Sequence, residues 1–266
     1  TDSAKPANNL AGATFELSGV DGATFAHATS PITWTTTDTA HVITGELIVG
    51  SIYKLAETTP APGYTVASDT YLKVDAQGTL WESEDATGIY KQLSNPELII
   101  ADALNDALFV KIDAHFSHAK LVAGATFSLK GTFVDKTNEK TFTSIGAYPE
   151  KEEDLTEADG AFIGQLIAGN EYTLTETAPA PGFTISSWTA SFADTEPAPA
   201  LDANGALVIH MTNAGILEYK TVANTWSEFA NENVVMMKDA PTSVTIAKTD
   251  SETPANNLAG ATFELS

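Results

Sequence analysis

Internal repetition constrains this chain more than any other feature. Residues 1–18 and 249–266 agree at 16 of 18 positions, differing only at Ala4/Glu252 and Lys5/Thr253. LAGATFEL (10–17) returns as VAGATFSL (122–129) and again as LAGATFEL (258–265). YKLAETTPAPGY (53–64) returns as YTLTETAPAPGF (172–183). ELIIADALNDALFVK (97–111) aligns with VVMMKDAPTSVTIAK (234–248), and in both an Asp is followed nine residues later by a Lys. Three motifs recurring in one order mean duplication. The expected organisation is repeat one over 1–106, repeat two over 107–243, and the first strands of a third repeat over 244–266. Repeat two is the longer, mainly between Trp188 and Asn233, where EPAPA (196–200) and DANG (202–205) read as loops.

Thr, Val, Ile and aromatic residues are plentiful, and turn signals interrupt them about every 8–15 residues. No long stretch has the 3.6-residue apolar period of a helix, so the chain reads as all-β. Side chains alternate across a strand, so spacing gives orientation. Ala13, Phe15 and Leu17 share one face, and Ala125, Phe127 and Leu129 repeat it. Two sheets with one apolar face each would pack as a sandwich.

The same alternation applied to charge is more informative. Tyr53, Leu55 and Glu57 share a face, as do Tyr172, Leu174 and Glu176. Leu98 and Ile100 align with Asp102, and Val235 and Met237 with Asp239. Phe109 aligns with Lys111, and Val244 and Ile246 with Lys248. A Lys, a Glu and an Asp are thus expected on the apolar side of each repeat. Burying such charges is costly unless they pair or neutralise. Desolvation favours a neutral amine and a protonated carboxyl. Held close, these are a nucleophile and an electrophile, and a second carboxyl can move the protons. Their product is an amide between side chains, a covalent clamp acting as a disulfide does.

Such a clamp suits the composition. The chain has no cysteine, which removes disulfides, thiolate metal sites and cysteine nucleophiles. Lys+Arg is 13 and Asp+Glu is 35, so the net charge is 13 − 35 = −22. That field repels phosphate backbones and anionic lipid, arguing against nucleic-acid and membrane-surface partners. No apolar run approaches the roughly 18 residues of a membrane span. With neither signal peptide nor sorting motif in the sequence, a cytoplasmic protein and a piece of a longer exported one both fit.

The Lys-ended strand, the LAGATFEL strand, the ETxAPxGY-like box and the closing Asp strand together resemble CnaB-like domains. These are the B-type repeats of Gram-positive surface adhesins and pilins. The resemblance implies tandem reverse immunoglobulin-like β-sandwiches in an elongated rod, extracellular and anchored to the cell wall through segments outside this sequence. It also implies a Lys–Asn or Lys–Asp isopeptide bond promoted by the box glutamate. Carried onto this sequence, Lys111 bonds Asp239 with Glu176 assisting. In repeat one Glu57 and Asp102 match, and the lysine's place falls immediately before Thr1, as Lys248 falls before Thr249. Asn213 is a rival acceptor, because Leu207, Ile209 and Met211 alternate up to it. Residues 244–248 of one molecule are expected to complete repeat one of the next, placing Lys248 beside Asp102.

Other chemistry has little support. No G-x-S-x-G, Walker loop or G-x-G-x-x-G occurs, so turnover of an external substrate is not expected and no cofactor is implied. His115 and His118 are three apart, which sets them on opposite faces of a strand rather than together on a metal. The acidic run EKEEDLTEADG (150–160) lacks EF-hand spacing and reads as solvated charge. Trp34, Trp81, Trp188 and Trp226 default to packing rather than a glycan site. A structural stalk remains, because repetition supplies length. The alternative is a module gripping a host matrix protein or glycan.

Overall fold

The computed structural model describes residues 1, 9–94, 97–115, 120–185, 197–230, 232–251 and 256–264. Repeat one supplies β1 (Thr14–Gly19), β2 (Ile32–Thr35), β3 (Ile52–Thr59), β4 (Thr70–Val74), β5 (Leu80–Ser83) and β6 (Lys91–Gln92). They form one antiparallel sheet in the order β2-β1-β3-β4-β5-β6. Its buried face carries Phe15, Leu17, Tyr53 and Leu55, at the alternate positions the sequence predicts. Phe25, Leu47, Leu98 and Ile100 come from connecting segments and cover this face.

Repeat two contains the same sheet and adds a second. β8 (Thr126–Lys130), β9 (Glu139–Thr143), β11 (Glu171–Ala178), β12 (Leu207–Met211), β13 (Leu217–Lys220) and β14 (Trp226–Glu228) pair in the order β14-β13-β12-β11-β8-β9. β7 (Asp106–Asp113), β10 (Ala161–Ile163) and β15 (Val234–Asp239) form a three-stranded sheet in the order β10-β7-β15. The two sheets share one apolar cluster that includes Phe109, Phe127, Phe162, Leu174, Val235 and Met237. This is the expected all-β sandwich.

β7 and β15, the first and last strands of repeat two, lie side by side in parallel. Lys111 stands opposite Met237, and Asp113 opposite Asp239. Parallel neighbours keep their side chains in phase, so Phe109, Lys111, Val235, Met237 and Asp239 all face inward.

Two expected strands are absent among the described residues. Residues 97–102 form no ladder strand, and residues 244–248 belong to no strand, with the Lys248 carbonyl accepting the Leu258 N–H. Val244 is 74% exposed and Ile246 55%. Their alternation matches that of β15, but β15 has β7 to pair with. Among the described residues, the backbone of 97–102 bonds to Thr1, and residues 244–248 lie in no strand ladder. No helix among the described residues is long and apolar enough to cross a membrane.

Candidate functional site

Lys111, on β7, reaches two carboxylates from two other strands. Its Nζ lies 2.8 Å from Glu176 Oε2 on β11 and 2.8 Å from Asp239 Oδ1 on β15. The lysine side chain is 1% exposed, those of Glu176 and Asp239 4% and 0%. Phe127 closes the pocket, its ring centroid 5.5 Å from Nζ. Burial pushes the Glu176 carboxyl above its usual range, and Asp239 beside it pushes the same way, while Lys111 draws it down. Glu176 is therefore suited to take a proton and return it. The apolar core around the three ionisable groups excludes water and holds their reacting atoms close. Sequence reasoning placed all three, and the structure brings all three together.

The register of β11 aims the glutamate. Glu176 stands opposite Phe127, but Ala178 stands opposite Thr126, so a β-bulge follows the glutamate directly. In repeat one Glu57 stands opposite Phe15 and Thr59 opposite Thr14, the same bulge at the same place. The period-two pattern gave the inward face without revealing this kink.

Among the described residues, repeat one holds the two carboxyls with no lysine between them, and the charge of the Thr1 ammonium draws both down. Glu57 and Asp102 are both buried, 7% and 3% exposed. Glu57 Oε2 accepts the Ala67 N–H at 2.6 Å, while Oε1 has no hydrogen-bond partner among the described residues. Burial raises Glu57 to about 7, with Asp102 adding to the rise and the Ala67 N–H opposing it. Burial likewise raises Asp102. Thr1 donates its amine to the Ile100 carbonyl, and its own carbonyl accepts the Asp102 N–H at 2.8 Å. It thus stands against Ile100 and Asp102 as Ile112 stands between Met237 and Asp239. The place that Lys111 occupies in repeat two lies immediately ahead of Thr1.

Three expectations need correction. Lys248 does not face an apolar core: it is exposed, and its carbonyl accepts the Leu258 N–H. Asn213 is no acceptor for Lys111. The β12 alternation ends at Met211, and Asn213 is exposed in the turn that follows. The acidic run is not merely solvated, since Glu157 pairs with Lys140 at 2.9 Å and Thr156 donates its hydroxyl to Asp159 at 2.6 Å.

His115 is exposed in the turn after β7, and His118 lies outside the described residues. Trp34, Trp81 and Trp226 sit on β2, β5 and β14, packed or hydrogen-bonded locally, and Trp188 lies outside the described residues. No group of three His, Asp or Glu among the described residues is arranged to hold a metal.

The box tyrosines were missed. Tyr172 OH accepts the Ile167 N–H at 2.7 Å and donates to the Thr132 carbonyl at 3.0 Å. Tyr53 OH does the same with Ile48 and Thr24 at 2.7 and 3.0 Å. Each pins two loops to the strand that carries the glutamate. The recurrence of Tyr four residues before each Glu was the available signal.

Residues 2–86 match the family described as SpaA, a prealbumin-like fold domain. The match covers β1 to β5 and Glu57, in line with the CnaB-like resemblance. No curated protein matches. Among solved structures, the C-terminal fragment of the pilus adhesin SpaC from Lactobacillus rhamnosus GG is 15% identical, with 88% of this chain and 91% of that one covered at a TM-score of 0.35. The shaft pilin SpaA from the same organism is 18% identical, with 89% and 87% covered at a TM-score of 0.25. Likeness this loose says nothing of how this chain works.

Proposed function

We propose that this chain, whose first repeat matches a SpaA-type prealbumin-like domain, is a structural segment of a Gram-positive surface fibre, pilus-like or the stalk of an adhesin. In this reading its repeats are locked by amide bonds they form themselves, and the chain is not an enzyme acting on external substrates. The observation that carries the proposal is the contact of Lys111 Nζ with both Glu176 and Asp239 inside a dry core.

The chemistry follows from that contact. Proton exchange within the buried trio yields a neutral amine and a protonated Asp239, removing charges that the core solvates poorly. The Nζ lone pair attacks Asp239 Cγ. Glu176 takes a proton from nitrogen and delivers it to the departing Asp239 oxygen. One C–O bond breaks, one C–N bond forms, and water leaves. Intact mass under denaturing conditions is the test, and one water should be missing for this bond. An unmodified mass, with separate side chains in an experimental density map, would overturn it.

Glu57 and Asp102 form a half-site for a second bond. Lys248 precedes Thr249 as Lys111 precedes Ile112, and Thr1 and Thr249 open nearly identical sequences. Residues 244–248 of a neighbouring copy are proposed to enter beside 97–102, bringing Lys248 to Asp102. Wild-type protein would then show a ladder on denaturing gels that Lys248→Ala abolishes. A wild type running only as monomer rejects this bond.

A further inference from the structure

An open cleft in repeat two takes no part in the chemistry of the buried trio. It encloses about 560 Å³ where β7 and β15 begin and β14 ends. That volume lies within the range of about 300–1,000 Å³ found for ligand sites. The floor is apolar, lined by Leu108 of β7, Leu155, Ile163 of β10, Ile216, Phe229 and Val234 of β15. Two of these meet solvent, Ile163 at 48% exposure and Ile216 at 36%. Leu155 comes from the middle of the acidic run, which thereby reaches the site.

The rim carries one sign of charge. Asp106, Glu228 and Glu232 line the cleft, and no lysine or histidine is among the described residues that do. All three carboxylates are exposed. The site is held in shape without a ligand. Asn233 Oδ1 accepts the Leu217 N–H at 2.8 Å, and Asn233 Nδ2 donates to Gly215 O at 2.7 Å and to Asp106 Oδ1 at 3.2 Å. One side chain thus ties the first residues of β7 and β13 to the turn between β12 and β13. A site fixed in this way loses little freedom when something enters it. A second copy of this chain is a poor occupant, because both surfaces would be acidic.

We infer that this cleft binds a basic peptide segment of another protein, one that presents arginine or lysine beside an apolar side chain. Charge complementarity selects the sign: three carboxylates on a chain of net charge −22 attract cations and repel anions. The floor selects the shape. Lysine and arginine carry an apolar stem and a cationic head, so one side chain can cover Ile163 or Ile216 while its head reaches the rim. An apolar neighbour adds burial against the rest of the floor. The segment would then be a gripping surface as well as a length of fibre, whether or not Lys111 bonds Asp239.

Isothermal titration calorimetry of the full chain with acetyl-Arg-Leu-Arg-Leu-Arg-amide is the test. The peptide should bind at one site, and replacing both its leucines by glycine should weaken it about tenfold or more. Acetyl-Glu-Leu-Glu-Leu-Glu-amide should not bind. Glu228→Gln with Glu232→Gln should weaken the arginine peptide about threefold to tenfold, and added salt should weaken it too. Ile163→Lys places the chain's own ammonium at the rim and should abolish binding. Ile163 is half exposed, so this variant should keep its core and its melting temperature. Asp38→Asn with Glu84→Gln removes the same charge from the surface of repeat one and should change the affinity less than about twofold. An arginine peptide that fails to bind at millimolar concentration overturns the proposal. So does equal affinity for the glycine or the glutamate peptide, or binding that survives Ile163→Lys. An equal loss from the Asp38 and Glu84 pair would also overturn it, as attraction by net charge alone.

Discussion

Glu176→Gln keeps the size of the side chain and removes its ability to carry a proton. The Lys111–Asp239 bond should then fail to form while the core keeps its packing. The bond closes a loop from residue 111 to residue 239, roughly 130 residues, and in the chain-entropy model such a closure contributes about 5 kcal/mol. For a unit of that size each kcal/mol moves the melting temperature by about 3–5 °C. The variant's repeat-two transition should therefore melt about 15–25 °C below the wild type. Calorimetry and intact mass, run on the same samples, give the two readings together. Wild type should weigh one water less than its sequence, and the variant should match its own. If both proteins have lost the water, Glu176 is not the proton carrier. If neither has, no bond forms. A mass difference with almost equal melting temperatures would refute the loop-closure argument.

Repeat one should respond to pH in the opposite sense from ordinary paired carboxylates. Burial holds Glu57 at about 7, against an ordinary value of 4.5, so the folded repeat keeps a proton that the unfolded chain releases. Its contribution is complete below about pH 4.5 and lost as pH rises through about 7, and Asp102 is shifted in the same direction. Thermal melts across that window should fall with pH, and Glu57→Gln should flatten the slope; a rising slope contradicts the burial argument. Tyr172→Phe leaves the Ile167 N–H and Thr132 O without their shared hydroxyl, costing about 1–3 kcal/mol in urea unfolding. Tyr53→Phe should do the same to repeat one, and an unmoved midpoint would remove the pinning role.

The strand alternation in YKLAE and YTLTE was enough to turn both glutamates inward, and that in VMMKD was enough for Asp239. Identical alternation in LIIAD and VTIAK did not make strands. The difference is physical: a strand is a relation between two segments, and its pattern does not state whether a partner is present. Asn213 failed for a related reason, since alternation says nothing of where a turn ends it. The close approach of the repeats at Gly63 was illegible because a glycine's meaning lies in what approaches it. Gly63 and Gly182 occupy identical APG boxes, yet among the described residues only at Gly63 would a Cβ run into another backbone, that of Gly164.

A pull along the chain would load repeat two in a particular way. Tension enters through Asn105 at the start of β7 and leaves through Ala240 after β15. These strands are parallel neighbours, so opposite pulls on those ends shear their whole ladder at once instead of unzipping it bond by bond. With Lys111 joined to Asp239, tension crosses from the first strand to the last through one covalent link. The long stretch of chain between them would then lie outside the stressed path. Its sheet could fluctuate, or even open, without the segment growing longer.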